Sequence, residues 1–130
     1  MKVLLVEDEA ALADVLARNL RARGHGVKTE ASAEGAILSM MEEWPDAIIL
    51  DVNLPDGTGW EVLRKLGPDG RSRLRTVVIS AAPLSPKRIA ELQPAHWFLK
   101  PFAIDALVRA LTEPGSPIAA ANDGTGNMDD

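Results

Sequence analysis

The sequence has no cysteine and no tyrosine, and only two phenylalanines and three tryptophans. Without thiols, disulfides, thiolate zinc centres, iron–sulfur ligation and cysteine nucleophiles are excluded together, and the chain fits a reducing, cytoplasmic setting. Long hydrophobic runs are missing too. The opening MKVLLVEDEA holds a run of four apolar residues, far short of a signal-peptide core or of the roughly 20 that span a bilayer, so no membrane association is expected. Base is not in surplus either. Fourteen Lys and Arg against nineteen Asp and Glu give a net charge of −5, which argues against direct nucleic-acid binding, since neutralising phosphates takes clustered bases. The local exception, Arg64, Lys65, Arg71, Arg73 and Arg75, reads as a solvated surface.

What is present is ordinary globular material: 130 residues, 46% hydrophobic and 25% charged, enough for one domain with a sizeable core. Short aliphatic runs at Val3 to Val6, Ala47 to Leu50 and Thr76 to Ile79 predict buried strands, with weaker ones at Gly26 to Glu30 and Trp97 to Leu99. Helical spacing lies between them. Leu12, Val15, Leu16 and Leu20 form one apolar face, and Ala36, Ile37, Met40, Met41 and Trp44 a second, which are read as core. A third helix opens on the capping-box pattern Thr58-Gly59-Trp60-Glu61 and is expected to stop at Gly67-Pro68. Its Trp60 is read as packing there or lining the rim of a pocket. Ser85-Pro86 starts a fourth helix, limited to about two turns by Pro94, and Ile104, Leu107, Val108 and Leu111 mark a fifth. Five strand–helix alternations predict right-handed crossovers and an open, doubly wound α/β fold with a parallel sheet. From Glu113 onward four acids and no bases accompany Pro, Gly and Ser, so residues 1–112 form the domain, with a net charge of −1, and 113–130 an expected disordered tail.

In such sheets ligands bind beyond the carboxyl ends of the strands. Those ends are Glu7-Asp8, Asp51-Val52-Asn53, Ser80-Ala81-Ala82 and Lys100-Pro101-Phe102, bringing together three carboxylates, a hydroxyl and an ammonium. Adjacent carboxylates repel unless a cation or solvent intervenes, and an all-oxygen set points to Mg²⁺ rather than zinc. A carboxylate beside Mg²⁺, a lysine and a serine hydroxyl has what phosphoryl transfer needs, with Asp51 as the nucleophile. Taken singly, each group also has a plain reading as turn chemistry or as acid at a helix start.

The segments VLLVEDE, IILDVNLPDGTGWEVL, VVISA and FLKPF, in this order and spacing, resemble the receiver domain of two-component response regulators over residues 1 to 112. The resemblance implies a flavodoxin-like (βα)5 fold with strand order 2-1-3-4-5. It implies that Asp51 accepts a phosphoryl group from a phosphohistidine on a sensor histidine kinase or histidine phosphotransfer protein. Asp8, Asp51 and the backbone carbonyl of Asn53 would ligate Mg²⁺, with Glu7 acting through water. Lys100, Ser80 and the backbone N–H of Ala81 would contact the phosphoryl oxygens, and the Lys100–Pro101 bond would be cis. Trp97 stands where the family has a rotating switch Tyr or Phe. Asn53 and Ala82 stand where side chains influence dephosphorylation, and Ala82 offers no hydrogen bond to a water there. The chain would catalyse only its own phosphorylation and dephosphorylation, and so is not read as an enzyme with a separate substrate. Its downstream partner would dock on the face of the fourth helix, fifth strand and fifth helix, with homodimerisation one possibility. Ser80 and Lys100 are 20 positions apart with three prolines between, a short span for the family that shortens or displaces the fourth helix.

The alternative reading is a receiver-like interaction module that works without phosphorylation. A haloacid-dehalogenase-type phosphohydrolase fits poorly, because Asn53 stands where that family needs a second Asp. A flavin-phosphate site fits poorly because the first strand leads into acids. His25 is read as an exposed turn residue, His96, beside the expected output face, is given no functional role, and Asp56 is read as a turn former rather than a ligand.

Overall fold

The computed structural model describes residues 1–113. Apart from Glu113, the tail lies outside the described residues.

The aliphatic runs become strands β1 (Lys2–Val6), β3 (Ala47–Asp51) and β6 (Arg75–Ser80), joined by β2 (Gly26–Glu30) and β7 (His96–Leu99) in one parallel sheet ordered β2-β1-β3-β6-β7. Two further strands, β4 (Asn53–Leu54) and β5 (Gly57–Thr58), pair only with each other as a small antiparallel hairpin. Counted within the main sheet alone, the order is 2-1-3-4-5, the doubly wound arrangement.

Alternation of side chains divides the core in two. Leu4, Val6, Ile48, Leu50, Val78 and Trp97 face α2 (Ala33–Glu42), α3 (Gly59–Ser72) and α4 (Pro86–Leu92). Val3, Leu5, Ile49, Val77, Ile79 and Phe98 face α1 (Ala10–Ala22) and α5 (Ile104–Ala110). The central strand β3 is buried at every position, as a strand covered on both faces must be, whereas β2 is an edge strand whose residues are exposed or half-buried.

Helix starts follow local chemistry. Thr58 accepts the N–H of Glu61, and Glu61 accepts that of Thr58, closing the capping box at α3. Thr58→Ala is expected to cost about 1 kcal/mol in chemical denaturation. Ser85 caps α4 by accepting the N–H of Arg88, with Pro86 behind it.

Three expectations need correction. The third helix breaks at Gly67 (φ 71°, ψ 167°) but resumes through Pro68 to Ser72, because proline lacks only an N–H that the start of a new turn leaves unpaired anyway. Met41 is 77% exposed and Val15 42%, since each residue turns the helix by about 100° and Met40 already occupies the inward direction on α2. His96, left without a role by the sequence, is buried in β7 against Arg75 and stacked near Phe98. The basic segment is solvated at Arg64, Lys65 and Arg73, as expected, but Arg71 and Arg75 are half-buried. Arg64 pairs with Glu91, Arg71 donates to the Leu63 carbonyl, Arg73 lies 4.4 Å from the Trp44 ring centroid, and Arg75 donates to the Ala110 carbonyl. Trp60 is core, and His25 lies within 3.2 Å of the N-terminal ammonium.

Candidate acidic site at the strand ends

Parallel pairing in register (Val6 opposite Leu50, Val77 opposite His96) puts the carboxyl ends of β1, β3, β6 and β7 side by side. Asp51 is the last residue of β3 and is 3% exposed. Its Oδ1 accepts the Asn53 N–H at 3.0 Å and its Oδ2 the Lys100 ammonium at 2.8 Å. The same ammonium lies 2.8 Å from Glu7 Oε1, and Glu7 Oε2 accepts the Glu9 N–H at 3.0 Å. Lys100 is fixed by its own N–H, which donates to the Ser80 carbonyl at 2.7 Å, and the Lys100–Pro101 bond is cis. Asp8 is exposed beside them, and one oxygen each of Glu7, Asp8 and Asp51 lie within 4.8 Å of one another.

The Glu7 side chain has no exposed surface, and burial pushes its pKa up to about 7 against the opposing pull of the Lys100 hydrogen bond. Desolvation lowers the Lys100 pKa, but the hydrogen bonds and charges of Asp51 and Glu7 outweigh it and raise it overall. A carboxyl whose folded pKa lies above its unfolded one stabilises the fold most below the unfolded value, and that contribution is lost as pH rises to the folded value. In chelator, stability relative to Glu7→Gln is therefore expected to fall by roughly 2–3 kcal/mol between pH 4.5 and 7.5, read by urea denaturation.

The donor set fits a hard divalent cation. Opposite ligands of such an ion, at bonds of about 2.0–2.6 Å, stand about 4–5 Å apart, which is the span of this cluster. Glu7 Oε1 is buried and faces only the Lys100 ammonium among the described residues, so it has acceptor capacity to spare. Glu7 and Asp8 line a groove of about 350 Å³ between α1 and the end of β2.

Ser80 is buried and its hydroxyl is engaged locally, donating to the Ala82 carbonyl at 2.7 Å and accepting the Ala82 N–H at 3.1 Å. Ala81 and Ala82 are exposed. Trp97 is 7% exposed, packed in the α2–α4 half of the core, and its Nε1 has no hydrogen-bond partner among the described residues. Two residues near the site escaped sequence reasoning as contributors. Asp56 bonds the start of α2, and Gly59 packs directly on the Asp51 backbone. Neither contact leaves a local sequence signal, because the partners lie 22 to 23 residues away in one case and across a turn in the other.

Residues 3–112 match the family model described as the response regulator receiver domain. The chain belongs to that family. It is 34% identical over 111 residues to the probable transcriptional regulatory protein TcrX of Mycobacterium tuberculosis, covering 84% of this chain and 47% of that protein. With response regulator MprA of Mycobacterium leprae it shares 32% over 126 residues, 93% of this chain and 55% of that one. The receiver thus spans about half the length of the curated relatives it matches. Among solved structures, chemotaxis response regulator CheY4 of Vibrio cholerae superposes with a TM-score of 0.76 at 25% identity, covering 85% of this chain and 94% of that one. A Burkholderia pseudomallei response regulator, described with a phosphorylated aspartic acid, calcium ion and citrate, gives 0.80 at 22%, covering 93% and 72%, a likeness of fold. Among the described residues of this receiver, no helix is long and apolar enough to cross a membrane.

Proposed function

We propose that this receiver accepts a phosphoryl group on Asp51 from a phosphohistidine of a sensor histidine kinase or histidine phosphotransfer protein. The observation that carries the reading is the Lys100 ammonium 2.8 Å from Asp51 Oδ2, at the edge of a three-carboxylate cluster. Asp51 has a nucleophilic carboxylate oxygen. In the step, that oxygen bonds to phosphorus as the phosphorus–nitrogen bond to the donor imidazole breaks, the electron pair leaving with the imidazole. Lys100 stays beside the product to balance charge on the phosphoryl oxygens. Asp8, Asp51 and the Asn53 carbonyl would hold Mg²⁺, with Glu7 acting through water. When bound, the cation supplies positive charge that lets an anionic donor approach an acidic site. Hydrolysis of the aspartyl phosphate returns the carboxylate, and Ala82, without a hydrogen-bonding side chain, would give a water there no orientation.

The Ser80 hydroxyl would leave its bonds to Ala82 for a phosphoryl oxygen, and the Ala81 N–H would meet another. The signal would pass to a protein partner on the face of α4, β7 and α5, or to a second receiver, in a cytoplasmic regulator whose nucleic-acid contacts, if any, lie outside this domain. Trp97 already sits inside the core, which favours as second reading a module whose binding face does not wait for phosphorylation. Intact mass after incubation with Mg²⁺ and a small acyl phosphate separates the two. One added phosphoryl, absent in Asp51→Ala and in EDTA, is expected, and no addition would favour the phosphorylation-independent module.

A further inference from the structure

The β4–β5 hairpin carries Asn53 and lies outside the main sheet's ladder, tied to it at its base, where the Val52 N–H donates to the Ile79 carbonyl at 2.9 Å, and by Leu54, which is buried in the core. Its two strands pair only with each other, at Asn53 with Thr58 and Leu54 with Gly57, and a two-residue ribbon is marginal alone. At its tip, Asp56 reaches across to α2. Asp56 Oδ1 accepts the Ala33 N–H at 2.8 Å and Oδ2 the Glu34 N–H at 3.0 Å, while Ser32 takes the Gly35 N–H at 3.0 Å. These are charge-assisted bonds at the positive end of a helix, and they hold the Asp56 carboxyl below the usual carboxylate range.

The link joins the two halves of the acidic site. On one side, the hairpin runs back to Asp51 through the bond from the Asn53 N–H and the bond from the Gly59 N–H to the Val52 carbonyl. On the other, α2 begins three residues after Glu30, whose carbonyl accepts the Glu7 N–H at 3.0 Å. The sheet itself fixes Glu7 relative to Asp51, since β1 and β3 are neighbours. Asn53 lies past the end of that ladder, tethered through Val52 and Asp51 on one side only, so where its carbonyl stands against Glu7 and Asp8 also depends on what anchors the hairpin tip.

Resting on the proposed ligand role of the Asn53 carbonyl, we propose that Asp56 is a positioning residue for the cation site. By anchoring the hairpin to α2, it sets where that carbonyl stands against the carboxylates of Glu7 and Asp8. It touches neither cation nor phosphoryl group, so its influence falls on cation affinity rather than on the chemical step. Removing groups that orient metal ligands commonly costs 10- to 100-fold in affinity.

Magnesium binding by calorimetry, with the rate of labelling by a small acyl phosphate across Mg²⁺ concentrations, tests this on the full chain. Asp56→Asn keeps the size but turns an NH₂ toward one of the two N–H groups. It is expected to weaken Mg²⁺ binding about tenfold while the rate at saturating Mg²⁺ stays within about twofold of wild type. Asp56→Ala is expected to weaken binding further. Ser85→Ala, which removes a cap on α4 instead, is expected to lower Tm and leave Mg²⁺ affinity unchanged. If Asp56→Asn lowers Tm as Ser85→Ala does but binds Mg²⁺ as wild type does, Asp56 is only a helix cap and the proposal falls. If wild type neither binds Mg²⁺ nor takes up a phosphoryl group, the functional reading fails and this inference with it.

Discussion

Replacing Gly59 by alanine is expected to destabilise the domain by about 3 kcal/mol or more and to slow labelling of Asp51 at least tenfold. Gly59 is the buried first residue of α3, and a Cβ there would be driven into the Asp51 backbone carbonyl and to 3.0 Å from Leu50 Cγ. The requirement is for space, not for an unusual backbone angle. Overpacking usually costs 1–3 kcal/mol, and the upper end applies because the obstacle is the backbone of a central strand paired on both sides, which cannot swing aside like a side chain. Relief can come only by shifting α3 or the end of β3, and the latter moves Asp51 away from Lys100. Gly26, where an added Cβ meets nothing within 4 Å, provides the control, and Gly26→Ala is expected to stay close to wild type. Urea denaturation of both variants checks the claim. A Gly59→Ala protein within 0.5 kcal/mol of wild type, on the order of an ordinary surface change, would contradict it.

Lys100→Met is expected to abolish measurable labelling of Asp51 and, in chelator, to lower stability at pH 8 by about 2–3 kcal/mol. The ammonium is 2.8 Å from both Glu7 Oε1 and Asp51 Oδ2, so its loss leaves two buried carboxylates facing each other without a counter-charge. Breaking a fully buried pair typically costs 3–5 kcal/mol; the lower figure reflects the 19% of the Lys100 side chain that remains in solvent. The loss has a pH signature. Glu7 already titrates near 7 because of burial, and without the opposing hydrogen bond from Lys100 its pKa rises further. The variant therefore recovers stability as pH falls through the new value, where Glu7 takes a proton and the repulsion ends. Denaturation at pH 5.5 and 8 reads this directly. Equal losses at the two values would mean that repulsion between the ionised carboxylates is not what destabilises the variant.

The sheet and the five helices were legible because β-branched and aliphatic runs sit between amphipathic segments with recognisable starts, as at Thr58 and Ser85. The acidic site was legible for a topological reason. In a parallel sheet the residue after each strand faces the same edge, so Glu7, Asp51, Ser80 and Lys100 can be brought together without knowing a single side-chain contact. What escaped depended on contacts between segments distant in sequence. Nothing local separates Met40, which is buried, from Met41, which is not; the direction of α2 against β1 and α3 decides it. The charges of Arg71 and Arg75 suggested solvent, but their half-buried guanidinium groups donate to carbonyls, that of Leu63 a full two turns back in α3 and that of Ala110 in a distant segment. His96 lay one residue outside the expected strand, and the extra residue of β7 carries it inside. The turn at Asp56 was visible, whereas its bonds to Ala33 and Glu34 were not.

The most direct test of the central claim locates the phosphoryl group. After incubation with Mg²⁺ and a small acyl phosphate, reductive trapping with borohydride followed by peptide mapping identifies the carboxyl that carried it. The account predicts a modification at Asp51 alone, lost in EDTA. Modification of Glu7, Asp8 or a histidine with Asp51 untouched would contradict it.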